Sequence, residues 1–271
     1  MLQTVKDLLA AHGIREVAPL SLSDATCLRP YLLERAGIAG GTAILFLVPY
    51  YTTFCADPAR NISAYAISRD YHLFFHSLFE DVLPKLREKF PHHRFAGFTD
   101  HSPIAEVDAA AKAGLGVRGD NGLLLNEGYG SYHFIGEIVT DANLKTTPVA
   151  PKECPHCGAC RRACPKETEN APCLSALTQK KGELSEAETA LLLKHGTVWG
   201  CDICQEVCPI NKQALASGTA YTKIPFFGEQ ALPHLTAATL SHMSEAEFLT
   251  RAFAWRGKST ILRNLTLGKS E

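Results

Sequence analysis

Cys154-Pro155-His156-Cys157-Gly158-Ala159-Cys160-Arg161-Arg162-Ala163-Cys164-Pro165 is the stretch on which the reading of this chain turns. Its cysteines recur as C-x2-C-x2-C-x3-C, with a proline behind the last. A second group, Cys201, Cys204 and Cys208 followed by Pro209, repeats the end of that spacing as C-x2-C-x3-C-P, and Cys173 stands between the two groups. Eight of the ten cysteines thus fall between Cys154 and Cys208. Eight thiolates are what two [4Fe–4S] clusters require. A disulfide framework would spread its cysteines through a small secreted scaffold. A structural zinc site is the competing reading, but zinc takes four ligands per site, and a triple C-x2-C-x2-C ending in C-P is uncommon there.

The first run has the bacterial ferredoxin spacing, in which three thiolates hold one cluster and the fourth reaches the other. By that logic Cys154, Cys157 and Cys160 are completed by Cys208, and Cys164 joins Cys201 and Cys204, with Cys173 as fourth ligand. Two clusters held by shared peptide suit electron relay. The lone CxxxCxxC that leaves one iron open for radical chemistry is absent. Cys27 and Cys55 lie outside the groups and read as buried structural thiols, since free cysteine behaves as a small hydrophobe.

Upstream, the chain alternates between helix and strand. Val5 to His12 is an amphipathic helix ended at Gly13. Ala43-Ile44-Leu45-Phe46-Leu47-Val48 suits a buried strand stopped by Pro49. Asn61 is expected to cap a long helix running to about Phe79. Arg94 to Thr99 reads as a strand and Ala105 to Lys112 as a helix ended at Gly114. Leu123-Leu124-Leu125 and Tyr132 to Thr140 read as two further strands. Thr147-Pro148-Val149-Ala150-Pro151 is a linker. Ser185-Glu186-Ala187-Glu188 opens a helix closed by Gly196, and Ser244-Glu245-Ala246-Glu247 opens what reads as the last clear helix. The expected class is α+β or α/β: a sheet-and-helix layer over 1–150, a ferredoxin-like double-cluster domain over 151–215, and a C-terminal segment over 216–271 packing back on the core.

The 271 residues suffice for a sizeable core, and a formal net charge of −1 excludes a polycation built to coat nucleic acid. The longest apolar run is too short to span a bilayer, and the N-terminus lacks the architecture of a signal peptide. The expectation is a cytoplasmic protein with no membrane contact.

Beyond the cysteines, the sequence resembles the epoxyqueuosine reductase family, cobalamin and iron–sulfur enzymes of tRNA queuosine synthesis. The matching residues are Asn61-Ile62-Ser63-Ala64-Tyr65-Ala66, Arg69-Asp70-Tyr71-His72, the set Asp100, Pro103 and Glu106 followed by Ala113-Gly114-Leu115-Gly116, then Gly136-Glu137-Ile138 with Thr140-Asp141, and Leu262-Arg263-Asn264. The resemblance covers the chain from about Ala43 to Asn264. The resemblance implies a corrinoid-binding-like N-terminal layer, two [4Fe–4S] clusters, base-off cobalamin, an electron donor of flavodoxin or ferredoxin type, and tRNA as a possible partner. It implies that Asp100 is the general acid that protonates oxygen as the epoxide is reduced. The alternative is that Asp100 caps the helix starting near Pro103. Gly114, Leu115 and Gly116 would form a corrinoid-facing loop, with glycine allowing close backbone approach. Alone that segment reads as a turn. Tyr71 and His72 are further corrinoid candidates, or else core and rim residues of a helix.

The chain departs from the family at three places. Val117 and Asp120 stand where A-G-L-G-W-x-G-K carries an aromatic and a lysine, both where corrinoid or substrate contacts are expected. The sequence reads as a short form without the helical-repeat tail that contributes to tRNA binding. A local run, Arg251, Arg256, Lys258, Arg263 and Lys269, could contact phosphates or be a solvated face, and Trp255 could stack on a base or serve as a core or lid aromatic. Besides the corrinoid reductase, a paralogue acting on another substrate and a ferredoxin-like double-cluster carrier without corrinoid remain as readings.

Overall fold

A computed structural model describes residues 1–146, 149–150, 152–166 and 171–267. The chain divides into two compact units, each assembled from separate stretches: Met1–Tyr50, Phe74–Gly158 and Pro209–Ile224 in the first, Tyr51–Leu73, Ala159–Cys208 and Pro225–Glu271 in the second. The units interleave along the chain, so boundaries at 150 and 215 describe the order of the sequence and not its packing. Part of the expected linker, and Lys269 of the basic run, lie outside the described residues.

The first unit is built on a four-stranded antiparallel sheet. Its strands are β1 (Val17–Ser21), β2 (Thr42–Pro49), β3 (Phe95–Phe98) and, after the short pair β4 (Val117–Arg118) and β5 (Leu124–Leu125), β6 (His133–Thr140), in the order β1-β2-β6-β3. Every residue of β2 is buried, as an apolar run does when both faces of a sheet are covered. In register, Leu45 lies opposite Glu137 and Phe46 opposite Gly136. One face, carrying Leu45, Leu47, Ile135 and Val139, is covered by helix α4 (Glu106–Lys112) with Ile104 and Leu115. The other packs Phe46 against Phe75 and Phe79 of α3 (Tyr71–Lys89). Each fully buried side chain of this kind stabilises the fold by about 1.5–3 kcal/mol.

Gly136 has no room for a side chain. A Cβ there would sit 2.3 Å from the Phe46 ring and 2.6 Å from Phe75. Gly136→Ala is therefore expected to destabilise by about 1–3 kcal/mol through overpacking, read as a lower midpoint in thermal melts. An unchanged midpoint would mean the aromatic layer yields freely.

The long helix does not start at Asn61. Its side-chain amide donates to the Leu235 carbonyl and its side-chain oxygen accepts from the Leu235 N–H, each at 2.8 Å. Held there, Asn61 cannot cap, and residues Ala64–Ala66 make only a short 3-10 turn. The helix begins at Tyr71, where the Asp70 carboxylate accepts the His72 N–H at 3.0 Å. In the second unit Ser185 does cap its helix, Glu186–His195, with the reciprocal Glu188 bond, and Gly196 ends it in left-handed conformation. Ser244 opens Glu245–Leu249, but a further helix, Lys258–Thr266, follows it. Leu174, Leu177 and Leu192 form a small core of this unit, with Cys201 and Ile203 packed against it. No helix among the described residues is long and apolar enough to cross a membrane.

Candidate active site and cluster centre

Asp100 sits two residues beyond the end of β3, at the apex of a tight turn. The His101 N–H closes back on the Thr99 carbonyl at 2.6 Å, and Asp100 takes φ +56, a region that L-residues rarely adopt. The turn is held at several points. Thr99 Oγ1 donates to the Ile135 carbonyl at 3.0 Å, Tyr31 Oη lies 2.8 Å from His101 Nε2, and Arg29 donates to the Ser102 carbonyl at 2.9 Å. Asp100 itself is exposed. It does not cap the following helix, whose first residue is Glu106 and whose N-cap is Ala105. The capping alternative is thus removed, and Asp100 stands as an exposed acid on a left-handed backbone.

Beneath the turn lie two acids with little water. Glu137 is 0% exposed in the apolar face of β6. Ser102 Oγ stands 2.7 and 2.8 Å from its two carboxyl oxygens and accepts the Ile104 N–H at 3.0 Å. Burial pushes Glu137 up to about 8, against the Ser102 hydrogen bond, and the nearby Glu106 adds to the rise. Glu106 is itself pushed up to about 7, first by burial and then by the charge of Asp100, while the Asp100 N–H and Arg29 oppose the rise.

Glu137 therefore carries a proton in the neutral range, which spares the sheet a buried charge. A folded-state pKa raised above the ordinary 4.5 gives stability that is complete below about pH 4.5 and is lost as pH climbs towards 8. Glu137→Gln keeps a hydrogen-bonding group and cannot ionise. Its unfolding free energy is expected to exceed wild type by a few kcal/mol at pH 8–9 and to match it near pH 5. Denaturant melts at the two pH values check this, and parallel pH profiles would refute it.

Gly114, Leu115 and Gly116 follow α4 and line a cavity of about 630 Å³ with Val117, Asn126 and Gly128. Gly114 takes φ +86 at the helix end. A Cβ on Gly116 would lie 2.5 Å from the Leu125 carbonyl oxygen, so this glycine serves the packing of β4 on β5. Small residues leave the wall open to a flat ligand, and the volume is that of a typical ligand site. Val117 is buried in β4, and Arg118 pairs with Asp108 at 2.9 Å. Asp120, the charge-reversed position, lies 2.9 Å from His156 Nδ1 and groups with Cys154, so a carboxylate here orients the imidazole inside the first cysteine run.

Tyr71 and His72 belong to the second unit, at the start of α3. Their rings stack at 4.3 Å, and His72 Nδ1 lies 2.8 Å from Asp70.

The same unit brings cysteines from distant sequence together. The helix Ala159–Ala163, which carries Cys160 and leads to Cys164, packs against Ile203–Glu206, which carries Cys204. Burial pushes the Cys201 thiol up to about 11, and the Cys173 and Cys164 sulfurs and Asp202 add to the rise. The Cys164 and Cys173 sulfurs near Cys201 fit a cationic iron–sulfur core, which would stabilise the thiolates that burial disfavours. Asp202 locks this loop: it is buried and accepts from Arg60, Ser63 Oγ, the Ala64 N–H (2.7 Å) and Gln205 (2.9 Å). No sequence signal singled out Asp202 or Arg60, because their partners lie some 140 residues apart. Cys55 is buried as expected. Cys27 is exposed instead, on a segment whose backbone bridges to Ile104.

The basic run near the C-terminus is not a uniform phosphate surface. Arg251 is 4% exposed and donates to the Gln230 carbonyl at 2.7 Å, while Arg263 donates to the Lys180 and Gly182 carbonyls. Trp255 is exposed, with the Arg256 guanidinium stacked 3.8 Å above its ring. A cationic cleft the sequence reading missed lies in the first unit: Arg35, Arg87, His93 and Arg94 surround a cavity of about 660 Å³ along β3. Its residues come from three elements, so no run of charge announces it.

Residues 153–211 match a 4Fe-4S double cluster binding domain. Over 276 residues the chain is 32% identical to an epoxyqueuosine reductase of Pseudomonas aeruginosa, covering 97% of this chain and 73% of that one. Among solved structures, epoxyqueuosine reductase from Streptococcus thermophilus superposes with a TM-score of 0.79 at 22% identity, covering 98% of this chain and 80% of that one. A crystal structure of epoxyqueuosine reductase with an epoxyqueuosine-modified tRNA-Tyr stem loop gives a TM-score of 0.73 at 23% identity, with the same coverage.

Proposed function

The chain belongs to the epoxyqueuosine reductase family, and from that premise we propose that it is an iron–sulfur reductase that converts epoxyqueuosine to queuosine in tRNA, in the cytoplasm. The observation that carries this reading is the strained, exposed Asp100 turn in a chain that also holds a double-cluster cysteine set. Removing an epoxide oxygen as water takes two electrons and two protons. Cys164, Cys173, Cys201 and Cys204 would hold one cluster, and the spacing assigns Cys154, Cys157, Cys160 and Cys208 to the other. The chemistry such clusters supply is one-electron relay from a donor of flavodoxin or ferredoxin type.

The N-terminal layer would serve as a corrinoid-binding domain, with Gly114, Leu115 and Gly116 lining the cofactor side. Base-off cobalamin would supply electron delivery to a carbon centre. Asp100 would hold the proton that goes to the epoxide oxygen, and its exposed position leaves it open to an incoming substrate. The Arg35–Arg87–His93–Arg94 cleft would take RNA phosphates, where guanidinium groups bind bidentately.

The test is a reconstituted holoprotein, anaerobic and reduced, titrated with cobalamin and then given an anticodon stem loop bearing epoxyqueuosine. Cobalamin is expected to co-elute and change its spectrum on reduction, and queuosine to accumulate. Failure to bind cobalamin would favour a double-cluster electron carrier. Turnover of the free nucleoside as fast as the stem loop would remove tRNA from the substrate.

A further inference from the structure

We propose that Asp120 sets the reduction potential of the cluster that Cys154 would help to hold: its carboxylate stands beside the Cys154 sulfur and lowers the affinity of that cluster for an electron. This rests on the reading of the cysteine set as a double-cluster centre.

The hairpin between β4 and β5 fixes Asp120 in place. Val117 pairs with Leu125 and Arg118 with Leu124. The Gly119 N–H donates to the Leu123 carbonyl at 2.8 Å, and the Gly122 N–H returns to the Gly119 carbonyl at 2.9 Å. Asn121 Oδ1 accepts the Leu123 N–H at 3.3 Å. Asp120 and Asn121 are thus the two central residues of a closed turn. The Asp120 side chain is only 15% exposed, so water and salt screen its charge less than that of a surface acid.

From this turn the carboxylate reaches the first cysteine run, within the same compact unit. Its Oδ1 lies 2.9 Å from His156 Nδ1. His156 takes φ +49, uncommon for a residue with a side chain, and the bond to Asp120 ties that side chain down. The carboxylate, the imidazole and the Cys154 sulfur offer ligand atoms that all lie within 4.8 Å of one another. The cysteine spacing already claims Cys154 for a cluster. The acid and the imidazole therefore flank a ligand and do not make up a metal site of their own.

Reducing a [4Fe–4S] cluster adds one negative charge to it. A carboxylate beside one of its sulfurs opposes that addition, and net charge and hydrogen bonding around the sulfurs are what set such potentials. At this distance, in a partly buried setting, a unit charge is worth about a tenfold change in an equilibrium constant or more. For a one-electron couple that is about 59 mV. The pattern A-G-L-G-W-x-G-K puts a lysine where this chain has Asp120, and a cation there would act in the opposite sense. Asp120 makes this cluster the stronger reductant.

The test is an anaerobic redox titration of reconstituted holoprotein, followed by electron paramagnetic resonance, with iron counted in every variant. Wild type should show two one-electron potentials and about eight irons per chain. Asp120→Asn keeps a hydrogen-bonding partner for the imidazole and carries no charge. It should raise one potential by about 59 mV or more, the tenfold change, and leave the other potential and the iron count where they were. Asp120→Lys should raise the same potential further. His156→Asn tolerates the left-handed backbone and has no ionisable ring, and adding Asp120→Asn to it should still raise that potential.

Unchanged potentials in Asp120→Asn would overturn the proposal, as would an equal shift of both. Equal potentials in Asp120→Asn and Asp120→Lys would show that charge is not the cause. A shift that vanishes beside His156→Asn would mean that the carboxylate acts on the imidazole and not on the cluster. Iron well below eight in Asp120→Asn would make the residue a structural support and defeat the proposal equally. Should Asp120→Lys lose iron, Asp120→Asn decides alone. Wild type without two one-electron waves would sink the double-cluster reading and the proposal with it, whereas two waves indifferent to Asp120 sink the proposal only.

Discussion

Replacing Cys201 by alanine is expected to lower the iron content from about eight to about four atoms per chain and to abolish turnover with any one-electron donor. Cys201 packs beside Leu174, Leu177 and Leu192, and burial together with the neighbouring Cys173 and Cys164 sulfurs disfavours its thiolate. Such a group of sulfurs is stable as ligands to iron and poorly stable as free thiolates. Taking out one ligand leaves three sulfurs around a core that needs four. The Asp202 network, which holds the backbone of the same loop, does not depend on the Cys201 side chain, so the fold should survive. Cys27→Ala is the control: that thiol is exposed and outside both groups, and iron should stay at about eight. Full iron in Cys201→Ala would remove Cys201 from the ligand set and reopen the interleaved assignment.

Features written locally were legible in the sequence. The apolar run that became β2, the capping box at Ser185 and the cysteine spacing each depend on neighbours within a few residues. What was not legible depends on partners far along the chain. Asn61 has the chemistry of an N-cap, and only the Leu235 backbone, 174 residues away, diverts it. Arg251 looked like one more surface cation until the Gln230 carbonyl and a buried position claimed it. Asp100 could be read as a cap because Pro103, three residues on, suits a helix start, whereas the helix begins at Glu106. Glu137 left one usable sign, an acid set among apolar neighbours in the middle of an eight-residue strand. Such a residue either ends the strand or meets a partner, and Ser102 is that partner.

These long-range contacts also show why the acid turn and the cysteine set are built differently. The cysteine loop is tied by a buried, fully engaged carboxylate, Asp202, with Arg60 beside it, two backbone or hydroxyl donors and an amide. It is a rigid mount, as an electron-transfer site needs when its geometry must not change with oxidation state. Below the Asp100 turn the carboxyls are raised towards neutrality and one oxygen stays unpartnered. Those raised carboxyls suit the proposed delivery of a proton in this region.

Asp100→Asn is expected to cut kcat by about 100-fold or more, the range general acids contribute, while iron content, thermal midpoint and cobalamin binding stay at wild-type values. Asparagine is the informative substitution because it tolerates left-handed backbone nearly as well as aspartate. The turn and its His101-to-Thr99 closure should therefore persist. What disappears is the transferable proton. A residue acting only through structure would behave otherwise, since an isosteric amide at an exposed apex leaves every other contact of the turn in place. The measurement is single-turnover conversion of the modified stem loop by reduced holoprotein, which separates chemistry from product release. Binding of the stem loop should be unchanged, so the loss falls on kcat and not on KM. Retained single-turnover rate in Asp100→Asn would assign the proton to another group, and His101, next in the chain and hydrogen-bonded to Tyr31, would be the first residue to replace.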